Sequence, residues 1–196
     1  MSRSDNLYSL PSDLPVPEDD GACDHLPGAL LPSLELRSTS RSLVSLAAIK
    51  AAWLVVYFYP RTGLPHQDPP GGLAAWDSIP GARGCTPQAC SYRDHHSELI
   101  RHGAQVFGVS TQDTDYQREV VERLHLPFDL LSDSKLELTR ALQLPTFDVA
   151  GFTLIKRLTL IACEGRIVQC FYPVFPPDAD AENVLRYIVS ERHGTS

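Results

Sequence analysis

Residues 53–59, Trp-Leu-Val-Val-Tyr-Phe-Tyr, are all apolar, β-branched or aromatic, and Pro60 closes the run. A strand with one wet face alternates polar and apolar side chains. A run without alternation is the pattern of a strand buried on both faces, as in a parallel sheet. The following segments keep to that plan. From Thr86, the residues Ala89, Tyr92, His96, Leu99 and Ile100 recur at helical spacing. Thr86 is placed to cap this helix, Pro87 suits its first turn and Gly103 stops it. Residues 106–109 read as the next buried strand, and Asp113 and Thr114 cap a helix carrying Val120, Val121 and Leu124. Residues 128–131 are a further strand, after which Asp133 or Ser134 caps a short helix through Leu142. Strand, helix, strand, helix, strand in this rhythm means βαβ units on a parallel sheet.

The rhythm then changes. Residues 157–162 and 166–172 flank Glu164-Gly165, a two-residue hairpin signal, and Asp178 or Asp180 opens a last helix with Val184, Leu185, Ile188 and Val189. A parallel βαβ half followed by a β-hairpin and a C-terminal helix is the thioredoxin-like plan, an α/β fold with a mixed central sheet flanked by helices. Upstream, residues 34–36 and 43–46 read as two short strands turning at Thr39-Ser40-Arg41, and residues 47–52 as a short helical turn. Residues 1–32 carry Pro11, Pro15, Pro17, Pro27 and Pro32 among acidic residues, a density that blocks helix and inner strand alike. The expected division is therefore an extended arm over 1–32 and one domain over 33–196. Between Pro60 and Cys85 lies a Gly/Pro-laden loop, about twice the common length of a connection, with Trp76 placed to pin it to the body.

Charge narrows the function. With 24 acidic and 17 basic residues the formal net charge is −7, which argues against a nucleic-acid backbone or an anionic membrane as partner. The run at 53–59 is too short to span a bilayer. Residues 1–11 hold no apolar run of signal-peptide length, so the expected location is cytoplasmic. Five cysteines, odd in number and irregularly spaced, do not read as a secreted disulfide framework.

The cysteines carry the chemistry. Cys85 falls where the Gly/Pro-rich loop gives way to the helix starting near Thr86. There, unpaired backbone N–H groups and the positive end of the helix dipole stabilise a thiolate. The duller reading is a small buried hydrophobe. Cys90 follows five residues later, and in an ideal helix positions i and i+5 have Cα atoms roughly 8.7 Å apart, beyond the ~7 Å a disulfide allows. Either the two never pair, or the helix start unwinds. If Glu164-Gly165 is the turn, Cys163 faces Arg166 and Cys170 faces Thr159, too far apart along the ladder to bond. Cys23, in the arm, reads as a spectator. Cys85, Cys90, His95 and His96 fan around a helix without the paired spacing of a zinc site, so no metal is expected.

Phe58-Tyr59-Pro60 followed by Gly84-Cys85-Thr86-Pro87-Gln88-Ala89-Cys90-Ser91-Tyr92-Arg93-Asp94 resembles the active-site region of peroxiredoxins, and most closely the bacterioferritin-comigratory, or Q-type, subfamily. Phe107-Gly-Val-Ser110, Leu126-Pro-Phe-Asp-Leu-Leu-Ser-Asp133 and the arginine-bearing stretch Ile155–Ile161 are similar to further motifs of that family, in the same order. The resemblance implies that Cys85 attacks the peroxide and becomes a sulfenic acid. It implies that Cys90 resolves this to a disulfide, and that thioredoxin or a glutaredoxin-like dithiol protein reduces the bond. It also implies that Arg157 hydrogen-bonds the thiolate and the bound peroxide, that no cofactor is needed, and that the protein is a monomer or a homodimer. The family has a hydroxyl three residues before the nucleophile, where this chain has Ala82. Either Thr62, two residues after Pro60, supplies that hydroxyl across the loop, or the backbone N–H groups near Gly84 and Cys85 bind the peroxide. Two other classes fit a reactive cysteine pair. A thiol–disulfide oxidoreductase favours a tighter Cys-x-x-Cys, and a redox-sensing binding protein forms the same bond without turning over.

Overall fold

The computed structural model describes residues 6–194, with side chains as far as Glu191. Its central strand is the apolar run, β3 (Trp53–Phe58), buried along almost its whole length. β3 pairs in parallel with β4 (Ala104–Ser110), in register from Trp53↔Ala104 to Phe58↔Val109. On its other side it pairs antiparallel with β8 (Leu158–Cys163). β1 (Leu36–Ser38), β2 (Leu43–Val44), β5 (Leu130–Ser132) and β9 (Arg166–Phe171) complete a seven-stranded mixed sheet of order β2-β1-β5-β4-β3-β8-β9.

Alternation along β3 splits the core in two. Val56 and Phe58 join Leu26, Leu36, Val109 and Leu160 on one face. Val55 and Tyr57 join Tyr92, Val120, Leu130 and Ile188 on the other, beneath the helices α2 (Cys85–Arg101), α3 (Thr114–Leu124) and α5 (Asp180–Gly194). The fit on that face is close. A side chain at Gly108 in β4 would meet the Tyr57 ring at 2.5 Å and Leu130 at 2.6 Å. Tyr57 stacks on Tyr92 of α2 with ring centroids 4.5 Å apart, which locks the helix over the strand.

Three local expectations change. The long helix starts at Cys85, with Gly84 as its N-cap, and no side chain caps it, so Thr86 lies inside the first turn. Gly84 sits at φ +102°, where a Cβ would strike Pro177 and Leu10, so only glycine can make this entry. The loop before it contains a short helix, α1 (Leu73–Asp77), and Trp76 is buried against Leu154 and Phe147. Ahead of β8, beyond α4 (Glu137–Ala141), an unanticipated hairpin pairs β6 (Thr146–Val149) with β7 (Phe152–Ile155). Its turn, Ala150-Gly151, lacks the usual Asn-Gly or Asp-Gly signal, yet both residues adopt positive φ.

The β8–β9 register also differs. Cys163 faces Arg166 as expected, but an irregularity at Ile161/Ala162 places Cys170 opposite Leu160 instead of Thr159. One extra residue slipped into a ladder moves every later side chain by one position. The arm region, from residue 6 onward, forms turns and one isolated bridge, Leu30↔Arg166, and buries Cys23, Leu26 and Leu31 in the first core. No helix of the described residues is long and apolar enough to cross a membrane.

Candidate active site

Cys85 occupies the first position of α2 and is 4% exposed. Its Sγ lies 3.1 Å from Arg157 Nη2 and 3.7 Å from the carbonyl oxygen of Ala82. Because Pro87 has no N–H and no side chain caps the helix, the first backbone donors of α2 belong to Cys85 and Thr86. An anion on Sγ is therefore met by a helix N-terminus and by a guanidinium together.

Arg157 enters from the residue before β8 and is 2% exposed. Its Nη2 also donates to the carbonyls of Gly81, Ala82 and Arg83, at 3.2, 3.3 and 3.0 Å. Nη1 donates a short bond to Gln88 Oε1. Gln88 Nε2 in turn donates to Asp180 Oδ2 at 2.8 Å, an oxygen that also accepts from Tyr92 and Thr159 at 2.9 and 2.8 Å. Burial pushes the Asp180 carboxyl above its ordinary value, while those hydrogen bonds and the Arg157 charge pull it back. The guanidinium is thus aimed by the loop that precedes Cys85 and by a polar chain running to the start of α5.

A cavity of about 240 Å³ opens at Cys85 and is lined also by Thr62, Gly84, Arg61, Tyr116 and Phe152. Thr62 is 1% exposed, and its hydroxyl and N–H both donate to Gln112 Oε1 at 3.0 Å. Its carbonyl accepts from Gln112 Nε2 and from the Tyr116 hydroxyl, which fixes the loop end on α3. The single hydroxyl proton of Thr62 is committed to Gln112, and the oxygen lone pairs stay available as acceptors. Arg61 lies over the rings of Tyr116 and Phe152, 4.6 and 5.2 Å from their centroids, and Arg83 pairs with Asp77 at 2.7 Å. Pro60 is buried at the end of β3 and does not line this cavity.

Cys90 sits one and a half turns along the same helix, partly buried against the α-helical core. Burial raises its thiol above the ordinary range, opposed chiefly by the charge of Arg93. With α2 intact the two cysteines of this stretch remain separate thiols. Among the described residues, no three of His, Cys, Asp and Glu converge as a metal site requires.

The site thus gathers Cys85, Thr62 and Gly84 around one cavity, with Arg157 behind it on Cys85 Sγ and Cys90 outside it. Gln88, Asp180, Gln112, Arg61 and Arg83 were not legible as site residues. Gln88 carried a faint signal, since three residues after Cys85 places it one helical turn away.

Residues 26–185 match the Redoxin family model. Over 190 residues, 94% of this chain and 78% of the relative, the sequence is 30% identical to peroxiredoxin Q, chloroplastic, of Gentiana triflora. It is 31% identical to peroxiredoxin Q, chloroplastic, of Oryza sativa subsp. japonica over 164 residues, 83% of this chain and 66% of that one. Among solved structures, peroxidoxin BcpB from Mycobacterium tuberculosis superposes with a TM-score of 0.69 at 22% identity, covering 85% of this chain and 98% of that one. Xanthomonas campestris peroxiredoxin Q gives 0.62 at 24% identity, covering 91% and 98%.

Proposed function

The chain belongs to the redoxin family, among the peroxiredoxins, and on that premise we propose that it is a thiol peroxidase whose nucleophile is Cys85. The observation that carries this reading is the guanidinium nitrogen of Arg157 3.1 Å from Cys85 Sγ, at an uncapped helix start that opens on a cavity. The thiolate attacks the terminal oxygen of a hydroperoxide in line with the O–O bond. That bond breaks, Cys85 becomes a sulfenic acid, and the departing oxygen takes a proton to leave as water or an alcohol. Charge developing on that oxygen falls within reach of the same guanidinium and helix N–H groups, where fixed dipoles stabilise it. The Thr62 oxygen accepts the hydrogen bond of the incoming peroxide in the place left by Ala82.

Resolution follows when the first turns of α2 unwind. The Cys90 thiol then attacks the sulfenic sulfur, water leaves and a Cys85–Cys90 disulfide forms. A dithiol protein of the thioredoxin or glutaredoxin kind reduces it. Hydrogen peroxide and organic hydroperoxides are the substrate class, an assignment supported by a Xanthomonas campestris neighbour titled for alkyl peroxide reduction activity. We further assign a cytoplasmic location, although the plant relatives are named chloroplastic, and a monomeric or homodimeric state. The division into an arm over 1–32 and a catalytic domain over 33–196 is part of the same reading.

The test is peroxide consumption coupled to a thioredoxin system, with wild type, Cys85→Ser and Cys90→Ser compared. Loss of turnover in the first variant is expected, and full turnover there would falsify the assignment. Normal turnover by Cys90→Ser would move the resolving role to another thiol.

A further inference from the structure

Two cysteines outside the active site share the opposite core. Cys23 is 5% exposed, and Cys170 of β9 is half-buried and packs against the same cluster. Both are free thiols, and hydrogen bonds on either side, Tyr172 to Asp20 and Gly28 to Ile167, bracket Cys23 over the end of β9 that holds Cys170. The register slip in β8–β9 is what turns Cys170 toward this face, beside Leu160.

The backbones on both sides of the pair are held. Gly28 N donates to Ile167 O at 2.8 Å, Ile167 N to Ala29 O at 2.9 Å, and Leu31 N to Gly165 O at 2.8 Å. Residues 28–31 therefore lie along the outer edge of β9. On the other side of Cys23, Asp20 accepts from Lys156 Nζ at 2.8 Å and from the Tyr172 hydroxyl at 2.9 Å. From this anchored base the segment runs back over the active site. Pro17 lies against Gly81, Leu10 packs at Gly84, and Leu7 lines the cavity at Cys85.

We propose that Cys23 and Cys170 are a second redox-active pair, whose disulfide fastens the base of this strap to β9. A hydroperoxide is the oxidant. Cys170, the accessible partner, attacks the terminal oxygen of hydrogen peroxide; the O–O bond breaks, one water leaves and a sulfenic acid remains on Cys170. The Cys23 thiol attacks that sulfur, the S–O bond breaks and a second water carries off the remaining oxygen. Each sulfur gives up one electron, and both thiol protons end in the waters. No helix needs to unwind, since both thiols belong to the same core cluster. Cys170, burial and the carboxylates of Asp20 and Asp19 push the Cys23 thiol up, which makes this pair slower than Cys85. The bond therefore forms under sustained oxidant and not in each catalytic cycle.

The experiment uses the full chain carrying Cys85→Ser and Cys90→Ser, so the outcome does not depend on the role given to Cys85. After reduction and removal of the reductant, the folded protein is exposed to excess hydrogen peroxide, alkylated, digested without reductant and mapped by mass spectrometry. A peptide pair joining Cys23 to Cys170 is expected, absent when Cys23→Ala or Cys170→Ser is added. The oxidised form should also melt about 5–15 °C above the reduced form, since the bond closes a very long loop, and Cys23→Ala should remove the shift. Cys23 recovered as a free thiol after complete oxidation of Cys170 would overturn the proposal. So would a Cys163–Cys170 pair, or equal melting temperatures for the two forms.

Discussion

Cys85 and Cys90 pack on the helical face of the sheet, while Cys23 and Cys170 pack on the other. Close in sequence, the first two are held apart by the α-helix that contains them. The second two are far apart in sequence and share one core cluster. Reactivity follows neither kind of nearness. Cys85 has a guanidinium at 3.1 Å and a helix N-terminus beneath it, whereas the environment of Cys23 offers a second thiol, two carboxylates and an apolar core. Contact decides which thiols can bond with little motion. Charge decides which reacts first.

The comparison breaks most easily at the nucleophile. Replacing Cys85 by Ser should lower peroxide turnover by roughly 10³-fold or more, while Cys23→Ala and Cys170→Ser should turn over at the wild-type level. Peroxide consumption under steady state checks all three, and a large loss from Cys23→Ala would place the second pair in the catalytic cycle. Next comes the cation. Arg157→Met should slow the first oxidation of Cys85 about 10²–10³-fold in stopped-flow measurements, as removal of one preorganised donor does elsewhere. A loss well under tenfold would mean that the helix N-terminus alone carries the effect.

Cys90→Ser should leave that first oxidation intact and block resolution, so the sulfenic acid persists and can be trapped with a dimedone reagent. Since burial raises the Cys90 thiol in the intact helix, disulfide formation in the wild type should speed up as pH rises through the alkaline range. A flat profile would show that unwinding of α2, and not attack by the thiolate, limits the rate. Asp180→Asn is a stability test of the polar chain behind Arg157. Three donors converge on one buried carboxylate oxygen, and substitution by an amide should cost about 1–3 kcal/mol by denaturant unfolding, with a smaller effect on oxidation rate than Arg157→Met.

The smallest effect belongs to the strap. Lys156 and Tyr172 hold the Asp20 carboxyl down at about 2. A carboxylate lowered in the folded state stabilises at any pH above its unfolded value of 3.8, and loses that contribution as pH falls from there toward about 2. Asp20→Asn should remove this acid-dependent part of the melting curve. Because Asp20 is exposed the change will be slight, and it should be slighter still once Cys23 and Cys170 are joined.

Most of the fold was legible because its signals are local. The run at 53–59, the helical spacing after Cys85 and the Glu164-Gly165 turn each act within a few residues, and β3, α2 and the β8–β9 hairpin stand where those signals put them. The hairpin at Ala150-Gly151 escaped because its turn residues are unremarkable, and the β8–β9 slip because a bulge has no fixed sequence mark. Thr62 is legible only as a hydroxyl two residues after Pro60. Its place in the wall of the cavity depends on Gln112, just ahead of α3, and Tyr116 within it, which hold the loop end.

The sequence by itself determined the βαβ rhythm around the central strand, the thioredoxin-like plan and the position of Cys85 at a helix start. Periodicity and glycine or proline punctuation are properties of neighbouring residues, and they survive without knowledge of the rest of the chain. Only the tertiary structure decided what surrounds each sulfur. The Asp180–Gln88–Arg157 chain behind Cys85 and the Cys170 thiol in the core of Cys23 both come from parts of the chain remote in sequence. Burial, charge and contact at a side chain are set by the elements packed against it, and no spacing rule within one segment reports them.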